Sequence, residues 1–332
     1  MRIFLKIFSI IFITSALISF LSSLYLWNLY FNDVSVKSEA VIEIPKGASL
    51  YKIASILENK NIIENKDIFR VITHILKKDK NLKAGEFKFE SGMTMNDIAS
   101  HLESGKVILR NITIAEGLTS YEIVEFLRNN LELEDDITKI PEEGSLLPET
   151  YSYSNSNKLS DIIKFMQRDM ERKKSELWDN RSKDLPFDTI EEAIILASII
   201  EKETSVASER KKTSGVFVNR LRIKMPLQTD PTVIYAITKG EHKNNGKGPL
   251  GRRLLKKDLK IDSPYNTYKY RGLPPTAIAN PGKESIEAAL NPEDHKYLYF
   301  VADGTGGHAF GKTLKEHNSN VSKWRKIRKS KN

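Results

Sequence analysis

The stretch that decides the fold reads IILASIIEKET over residues 194–204. Its apolar run predicts a buried helix, and that run leads directly into two acids, Glu201 and Glu203. A carboxyl group walled by apolar side chains loses solvation of its charged form, so its pKa rises and it can act as a general acid. The alternative interpretation is an ordinary amphipathic helix whose acids pair with neighbouring lysines and arginines.

Helical spacing separates the two acids, because residues three and four apart share a face. Glu201 falls with small side chains such as Ala197 and Ser198, which could floor a cleft. Glu203 falls with Leu196 and other large apolar residues, a stripe expected to face the core. The spacing therefore favours Glu201 as the catalytic acid, with Glu203 as a supporting or structural acid.

Length and composition limit the class of protein. The 332 residues allow roughly two domains, and the 40% hydrophobic fraction suits a packed core. The absence of cysteine removes disulfides, thiolate nucleophiles and Cys-ligated zinc. The six histidines show no metal-ligand spacing, and neither HExxH nor GxSxG occurs. We expect no metal and no cofactor; the net charge of +9 fits a general richness in lysine better than a nucleic-acid partner.

An uncharged apolar segment occupies residues 7–27. A bilayer-spanning helix needs about 20 such residues, so the length predicts a transmembrane anchor. A cleavable signal peptide is the alternative, but its apolar region is usually only about 7–15 residues long. Arg2 and Lys6 precede the span, which by the positive-inside rule places residues 1–6 in the cytoplasm and the rest of the chain beyond the inner membrane, in the periplasm or outside the cell.

A repeat precedes the acidic helix. Gly47, Gly92 and Gly117 are each followed by Ser or Thr two residues on, Ile six on and Leu ten on. Each copy predicts a glycine turn and then a helix capped by the Ser or Thr. Alternating strands are predicted at residues 40–45, 85–89 and 107–114. The opening of the first copy resembles a LysM module, which would cover residues 38–108; a simple α+β packing domain is the alternative.

Two loops and a strand follow the acidic helix. Prolines close the segment 226–232 and would hold Gln228, Thr229 and Asp230 in a fixed shape, either to meet sugar hydroxyls or as a plain turn. The segment 263–268 places tyrosines beside hydrogen-bonding side chains, a composition suited to stacking on sugar rings. Residues 297–302 predict a central strand that ends in a turn.

Taken together, these segments resemble the endolytic murein transglycosylases of the YceG-like family. The resemblance is carried, in order, by EGSLLPETY (143–151), ASIIEKET (197–204), VFVNRL (216–221), LQTDPTVIY (227–235), SPYNTY (263–268) and YFVADG (299–304). Within the first run, Leu147 and Glu149 stand where the family has Phe and Asp, so a specific role for Glu149 is not carried over.

The resemblance implies an α+β chain with a transmembrane helix, a small LysM-like module and a larger mixed α+β catalytic domain over residues 109–332. It implies cleavage of the β-1,4 bond between N-acetylmuramic acid and N-acetylglucosamine within peptidoglycan strands, leaving 1,6-anhydromuramyl ends. It further implies work beside peptidoglycan synthases, where cleavage would end the elongation of nascent strands.

The family's catalytic acid maps onto Glu201. Supporting or glycan-binding roles fall to Glu203 and Ser198 and to the residues that match the other motifs, Asn219, Gln228, Thr229, Asp230, Tyr265, Asn266, Thr267 and Tyr268. Asp230 is the alternative acid, and a hydrolytic mechanism through it would make the protein a muramidase. A wall-binding membrane scaffold without activity is the third hypothesis.

Overall fold

The computed structural model describes residues 2–241 and 250–330. Over this part the chain is mixed α+β with an N-terminal apolar helix, which confirms the predicted fold class. It divides into two compact units, Met1–Arg110 with Ser152–Asn157, and Asn111–Tyr151 with Lys158–Asn332. The N-terminal Met1, His242 of the predicted histidine set and the last two residues of the predicted catalytic domain lie outside the described residues.

The first unit begins with a long apolar helix and continues as a small α/β fold. Its elements are α1 (Arg2–Phe31), β1 (Ala40–Ile44), α2 (Leu50–Asn59), α3 (Lys66–Ile75), β2 (Gly85–Phe89) and α4 (Met95–Ser104). The two strands pair antiparallel, with Ile42 opposite Phe87. Phe87, Ile98 and Leu57 are fully buried and belong to one core.

Helix α1 is the apolar segment that the sequence marks as a membrane span. Residues Ile3–Phe31 form a candidate span of 29 residues with a mean hydropathy of 2.3, and none of its apolar 18-residue window is buried within the protein. The last turn differs from the rest, because Tyr30 is fully buried and its hydroxyl lies 3.0 Å from Thr73 Oγ1 of α3. The end of the apolar helix is therefore part of the core of the first unit.

The repeat has the local structure that its sequence predicts. Gly47, Gly92 and Gly117 all have positive φ angles, which glycine adopts without steric cost. The hydroxyl two residues later caps the following helix in each copy; Thr119 caps α5 (Ser120–Asn130) and shares a capping box with Glu122. These three helix starts were determined by local chemistry and are confirmed.

The second unit is larger and mostly helical. Two short strands, β3 (Arg110–Thr113) and β4 (Thr150–Tyr153), each contain residues assigned to both units. The remaining elements are α6 (Leu159–Trp178), α7 (Ile190–Glu203), α8 (Arg210–Arg222), α9 (Asp230–Thr238), α10 (Lys283–Leu290), β5 (Tyr299–Ala302), β6 (His308–Gly311) and α11 (Leu314–Ser330).

Helix α7 contains residues 194–203 of the acidic stretch and forms the middle of the core. Thr189 caps it through a capping box with Glu192. Leu196 and Ile199 are fully buried, but so are Ala197 and Ser198 on the face expected to floor a cleft. That expectation is wrong at these two positions, because α7 is packed on both faces.

The C-terminal strand differs from its prediction. Strand β5 pairs only with β6 within the described residues, in an antiparallel hairpin with Phe300 opposite Phe310. Its residues are all partly exposed. It is therefore a hairpin strand and not a central strand, while the turn predicted after it is the hairpin connection.

Candidate active site

The end of α7 directs the two acids into different surroundings. Glu203, the last residue of the helix, lines a cavity of about 480 Å³ in the second unit. Four residues predicted to contact glycan line the same cavity, namely Gln228, Thr229, Asp230 and Tyr268. Aromatic and aliphatic side chains form much of the remaining wall: Phe217, Leu227, Tyr299, Phe300, Val301 and Leu314.

The carboxyl group of Glu203 has the property expected of a general acid. Burial raises its pKa from 4.5 to about 7, and the negative charge of Asp230 adds to the increase, while Arg220 opposes it. No hydrogen bond or ion pair to its side chain is found within residues 2–241 and 250–330. Near neutral pH the group can therefore hold a proton and release it to a ligand in the cavity.

Asp230 is fixed opposite Glu203 at the start of α9. The hydroxyl of Tyr268 donates a 2.7 Å hydrogen bond to Asp230 Oδ1. Burial raises the pKa of Tyr268, and the nearby Asp230 raises it further, so the phenol stays protonated as a donor. The position of Asp230 in the first helical turn also suits a negative charge, because the helix dipole is positive there.

Arg220 of α8 fixes the walls of the cavity. Arg220 is 7% exposed, and its guanidinium donates to the carbonyls of Leu227 at 2.6 Å and Leu298 at 2.7 Å. It lies 5.5 Å from the centre of the Tyr299 ring, within reach of a cation–π interaction. One buried cation thus joins the loop before α9 to the strand β5, and its positive charge opposes the increase in the pKa of Glu203.

The loop that carries Gln228 and Thr229 is held in an unusual shape. Gln228 has a φ of 52°, in the left-handed region that residues other than glycine seldom adopt. Its amide donates to Thr267 O, and the amide of Thr229 donates to Thr267 Oγ1, both at 3.1 Å. Asn266 is fully buried and ties its own segment to the carbonyls of Leu259 and Ile261. Thr267 therefore supports the loop directly, and Asn266 stabilises the segment that carries Thr267.

Glu201, the acid favoured from the sequence, is engaged elsewhere. Its Oε2 accepts a 3.0 Å hydrogen bond from Gly282 N, and its Oε1 lies 3.8 Å from an Arg210 nitrogen. Its side chain is 7% exposed. Arg210 also reaches Glu116, whose pKa is raised by burial and by the charges of Glu201 and Glu284. Glu201 thus belongs to a network of acids around one arginine, and it does not line the Glu203 cavity.

Three other predicted residues lie away from Glu203. Ser198 is buried and accepts a hydrogen bond from Ile278 N at 3.1 Å. Asn219 donates to His295 O at 2.7 Å and to Tyr297 O at 3.1 Å, so it holds the segment that leads into β5. Tyr265 lines a second cavity of about 640 Å³, where it packs on Tyr235. Ser198 and Asn219 therefore have packing roles, and Tyr265 lines a different cavity from Tyr268.

Sequence reasoning missed two polar residues of the Glu203 cavity, Arg220 and His317. Arg220 lies within the VFVNRL motif (216–221), but nothing in that motif indicates that its side chain is buried. His317 was considered only for metal spacing, and that test has no bearing on a histidine that lines a cavity. Within residues 2–241 and 250–330, no group of His, Asp or Glu side chains has the arrangement of a metal site.

Fold and site together define a mixed α+β protein with an N-terminal apolar helix and a cavity built around a carboxyl group of raised pKa. The chain belongs to the YceG-like family, whose model matches residues 42–323. This confirms the family suggested by the sequence motifs.

Named relatives match most of the chain. It is 37% identical over 324 residues to the endolytic murein transglycosylase of Bacillus subtilis strain 168, covering 87% of this chain and 85% of that protein. It is 28% identical to the endolytic murein transglycosylase of Streptococcus pneumoniae strain D39, covering 87% of this chain but only 59% of that protein. A crystal structure of a yceG-like protein from Listeria monocytogenes superposes with a TM-score of 0.52 at 34% identity, covering 85% of this chain and 99% of that one.

Proposed function

We propose that this protein is an endolytic murein transglycosylase and that Glu203 is its catalytic acid. The relatives at 37% and 28% identity carry the name of that activity. The observation that carries the residue assignment is the cavity, where a carboxyl group with a pKa of about 7 meets Gln228, Thr229, Asp230 and Tyr268. The substrate would be a glycan strand of peptidoglycan.

The chemistry needs one group that first gives and then takes a proton. Protonated Glu203 would donate to the glycosidic oxygen as the bond between that oxygen and muramyl C1 breaks. The resulting carboxylate would accept the proton of the muramyl C6 hydroxyl as its oxygen bonds to C1, which yields the 1,6-anhydro end. A pKa near the working pH suits both steps, because neither protonation state is then costly to reach.

The choice between the two acids rests on their surroundings. Glu203 has no partner among the described residues and faces the loop residues expected to contact glycan. Glu201 accepts a hydrogen bond from Gly282 and lies beside Arg210, so its carboxylate is already engaged by protein groups. We therefore assign the acid to Glu203 and give Glu201 a supporting role, the reverse of the expectation from helical facing.

A hydrolytic muramidase is the second candidate, because Asp230 provides a second carboxylate in the same cavity. Hydrolysis would need this group to activate water or to attack the sugar. Its hydrogen bond from Tyr268 instead suits a fixed negative charge that stabilises the positive charge developing at C1. We therefore place Asp230 as an electrostatic partner of Glu203.

The remaining parts of the proposal concern location. Helix α1 would anchor the protein in the inner membrane, because it is long and apolar enough to span a bilayer and is exposed along the span. The flanking charges favour a cytoplasmic N-terminus, with both units on the outer side. There the LysM-like module could hold glycan beside the synthases, and cleavage would end strand elongation.

The decisive experiment compares Glu203→Gln with Glu201→Gln in the full chain, using mass spectrometry of digested glycan strands. We expect Glu203→Gln to abolish product formation and Glu201→Gln to retain activity, because only the first removes the proton donor. Wild-type products with anhydro ends support the transglycosylase, reducing ends would indicate a muramidase, and no products would indicate a scaffold. Full activity of Glu203→Gln would overturn the residue assignment.

A further inference from the structure

Two residues that line the Glu203 cavity carry unusual polar groups. Thr229 Oγ1 and His317 Nδ1 are both buried, and neither has a hydrogen-bond partner within the described residues. Both residues line the Glu203 cavity. Buried polar atoms are nearly always paired in native proteins, so an unpaired one needs a physical reason.

Thr229 stands in a position where its hydroxyl would normally be used. It occupies the N-cap of α9, where a threonine side chain usually accepts from a backbone N–H of the first turn. Here it makes no such bond, although its residue is 2% exposed. Its backbone is satisfied by Thr267 Oγ1 and by Thr232 Oγ1, which donates to Thr229 O at 2.8 Å. Only its hydroxyl is left without a partner among residues 2–241 and 250–330.

His317 reaches the cavity from α11. Its ring stacks on Tyr299 with 5.2 Å between centres and an angle of 28° between planes. Burial lowers the pKa of His317, and the positive charge of Arg220 lowers it further. The imidazole is therefore neutral near pH 7, and a neutral imidazole offers one donor and one acceptor.

We propose that Thr229 and His317 together bind the acetamido group of an amino sugar beside the scissile bond. This group carries one N–H donor, one carbonyl acceptor and a methyl group. A hydroxyl and a neutral imidazole match the polar pair, and the apolar side chains of Leu314, Phe300 and Val301, which line the same cavity, match the methyl. The inference rests on the proposed function and adds a specificity: the enzyme reads N-acetylation of its glycan.

The test measures kcat/KM on two glycan preparations that differ only in N-acetylation, one native and one de-N-acetylated. We expect wild type to prefer the acetylated strands by at least about tenfold, the factor that one good hydrogen bond provides. Thr229→Val keeps the branched shape and removes the hydroxyl, and His317→Phe keeps a ring to stack on Tyr299. Each variant should bring the ratio of the two kcat/KM values toward one, chiefly by slowing the acetylated substrate.

Two results would overturn the inference. Wild type could cleave both glycans equally well, or the variants could slow both equally and leave the ratio unchanged, as a purely structural role would. A His317→Asn variant, which keeps hydrogen-bonding capacity, should recover part of the preference. Failure of the proposed function itself looks different, because wild type would then release no anhydro products from either glycan.

Discussion

Tyr268 and Asp230 form a hydrogen bond of 2.7 Å in which the phenol donates to the carboxylate that faces Glu203. The negative charge of Asp230 raises the pKa of Glu203 beyond what burial alone produces. The Tyr268–Asp230 pair therefore raises the pKa of the proposed acid, Glu203, but does not itself donate a proton to the substrate. This relationship gives the site a measurable dependence on pH.

Replacing Asp230 with Asn removes that charge and should lower the pKa of Glu203. Because the acid must be protonated to act, activity is lost as the pH rises through this pKa, so the fall should begin at a lower pH in Asp230→Asn. A shift of roughly one pH unit corresponds to about 1.4 kcal/mol of charge interaction. The measurement is kcat/KM between pH 5 and about 9.

Glu191→Gln is the matched control for that shift, since it removes an exposed carboxylate from the same unit but outside the Glu203 cavity. Its profile should superpose on wild type. Equal shifts in both variants would mean that net charge, and not Asp230 specifically, adjusts the acid.

Stability should also report on Glu203. Its pKa is raised from 4.5 to about 7 on folding, so the folded state binds the proton more tightly than the unfolded state. The free energy of unfolding therefore decreases as the pH rises between these two values, and the stability held below pH 4.5 is lost above about 7. Glu203→Gln lacks this titration and should gain stability relative to wild type, by up to about 3 kcal/mol at pH 8.

Denaturant unfolding of both proteins at pH 4.5 and pH 8 makes the comparison. A difference between the proteins that stays constant with pH would show that Glu203 titrates at its ordinary value. The same data would then remove the physical basis for its role as an acid near neutral pH.

Two buried threonines near the cavity should lose different amounts of stability when each is replaced with valine. Thr229→Val deletes a hydroxyl that has no hydrogen-bond partner in the described part of the chain, so its cost should remain within about 0.5 kcal/mol. Thr232→Val deletes a hydroxyl 2.8 Å from both Thr229 O and Thr267 Oγ1, and should cost about 1–2 kcal/mol. Urea unfolding measures both values. A larger loss in Thr229→Val than in Thr232→Val would show that the Thr229 hydroxyl has a structural partner.

A feature of this protein can be predicted from its sequence when the residues that determine it lie close together in the chain. The caps at Ser49, Thr94 and Thr119 follow from residues within one helical turn, and all three are confirmed. The choice between Glu201 and Glu203 could not be made from the residues near them in the chain. Glu203 owes its surroundings to Arg220, Asp230 and other residues distant in the chain, and helical facing says nothing about a helix that is buried on both faces.

The end of the apolar helix provides a prediction in the first unit. Tyr30→Phe removes the hydroxyl that lies 3.0 Å from Thr73 Oγ1, and both residues are fully buried. Thr73 would then lose its partner in the core, so the first unit should be destabilised by about 1–2 kcal/mol. Tyr25→Phe is the matched control, because Tyr25 lies on the same helix and is 64% exposed. The measurement is hydrogen exchange of α3 in the full chain in detergent. Faster exchange in Tyr30→Phe alone supports a helix whose last turn is part of the core. Equal exchange in both variants would mean that α1 only tethers the unit.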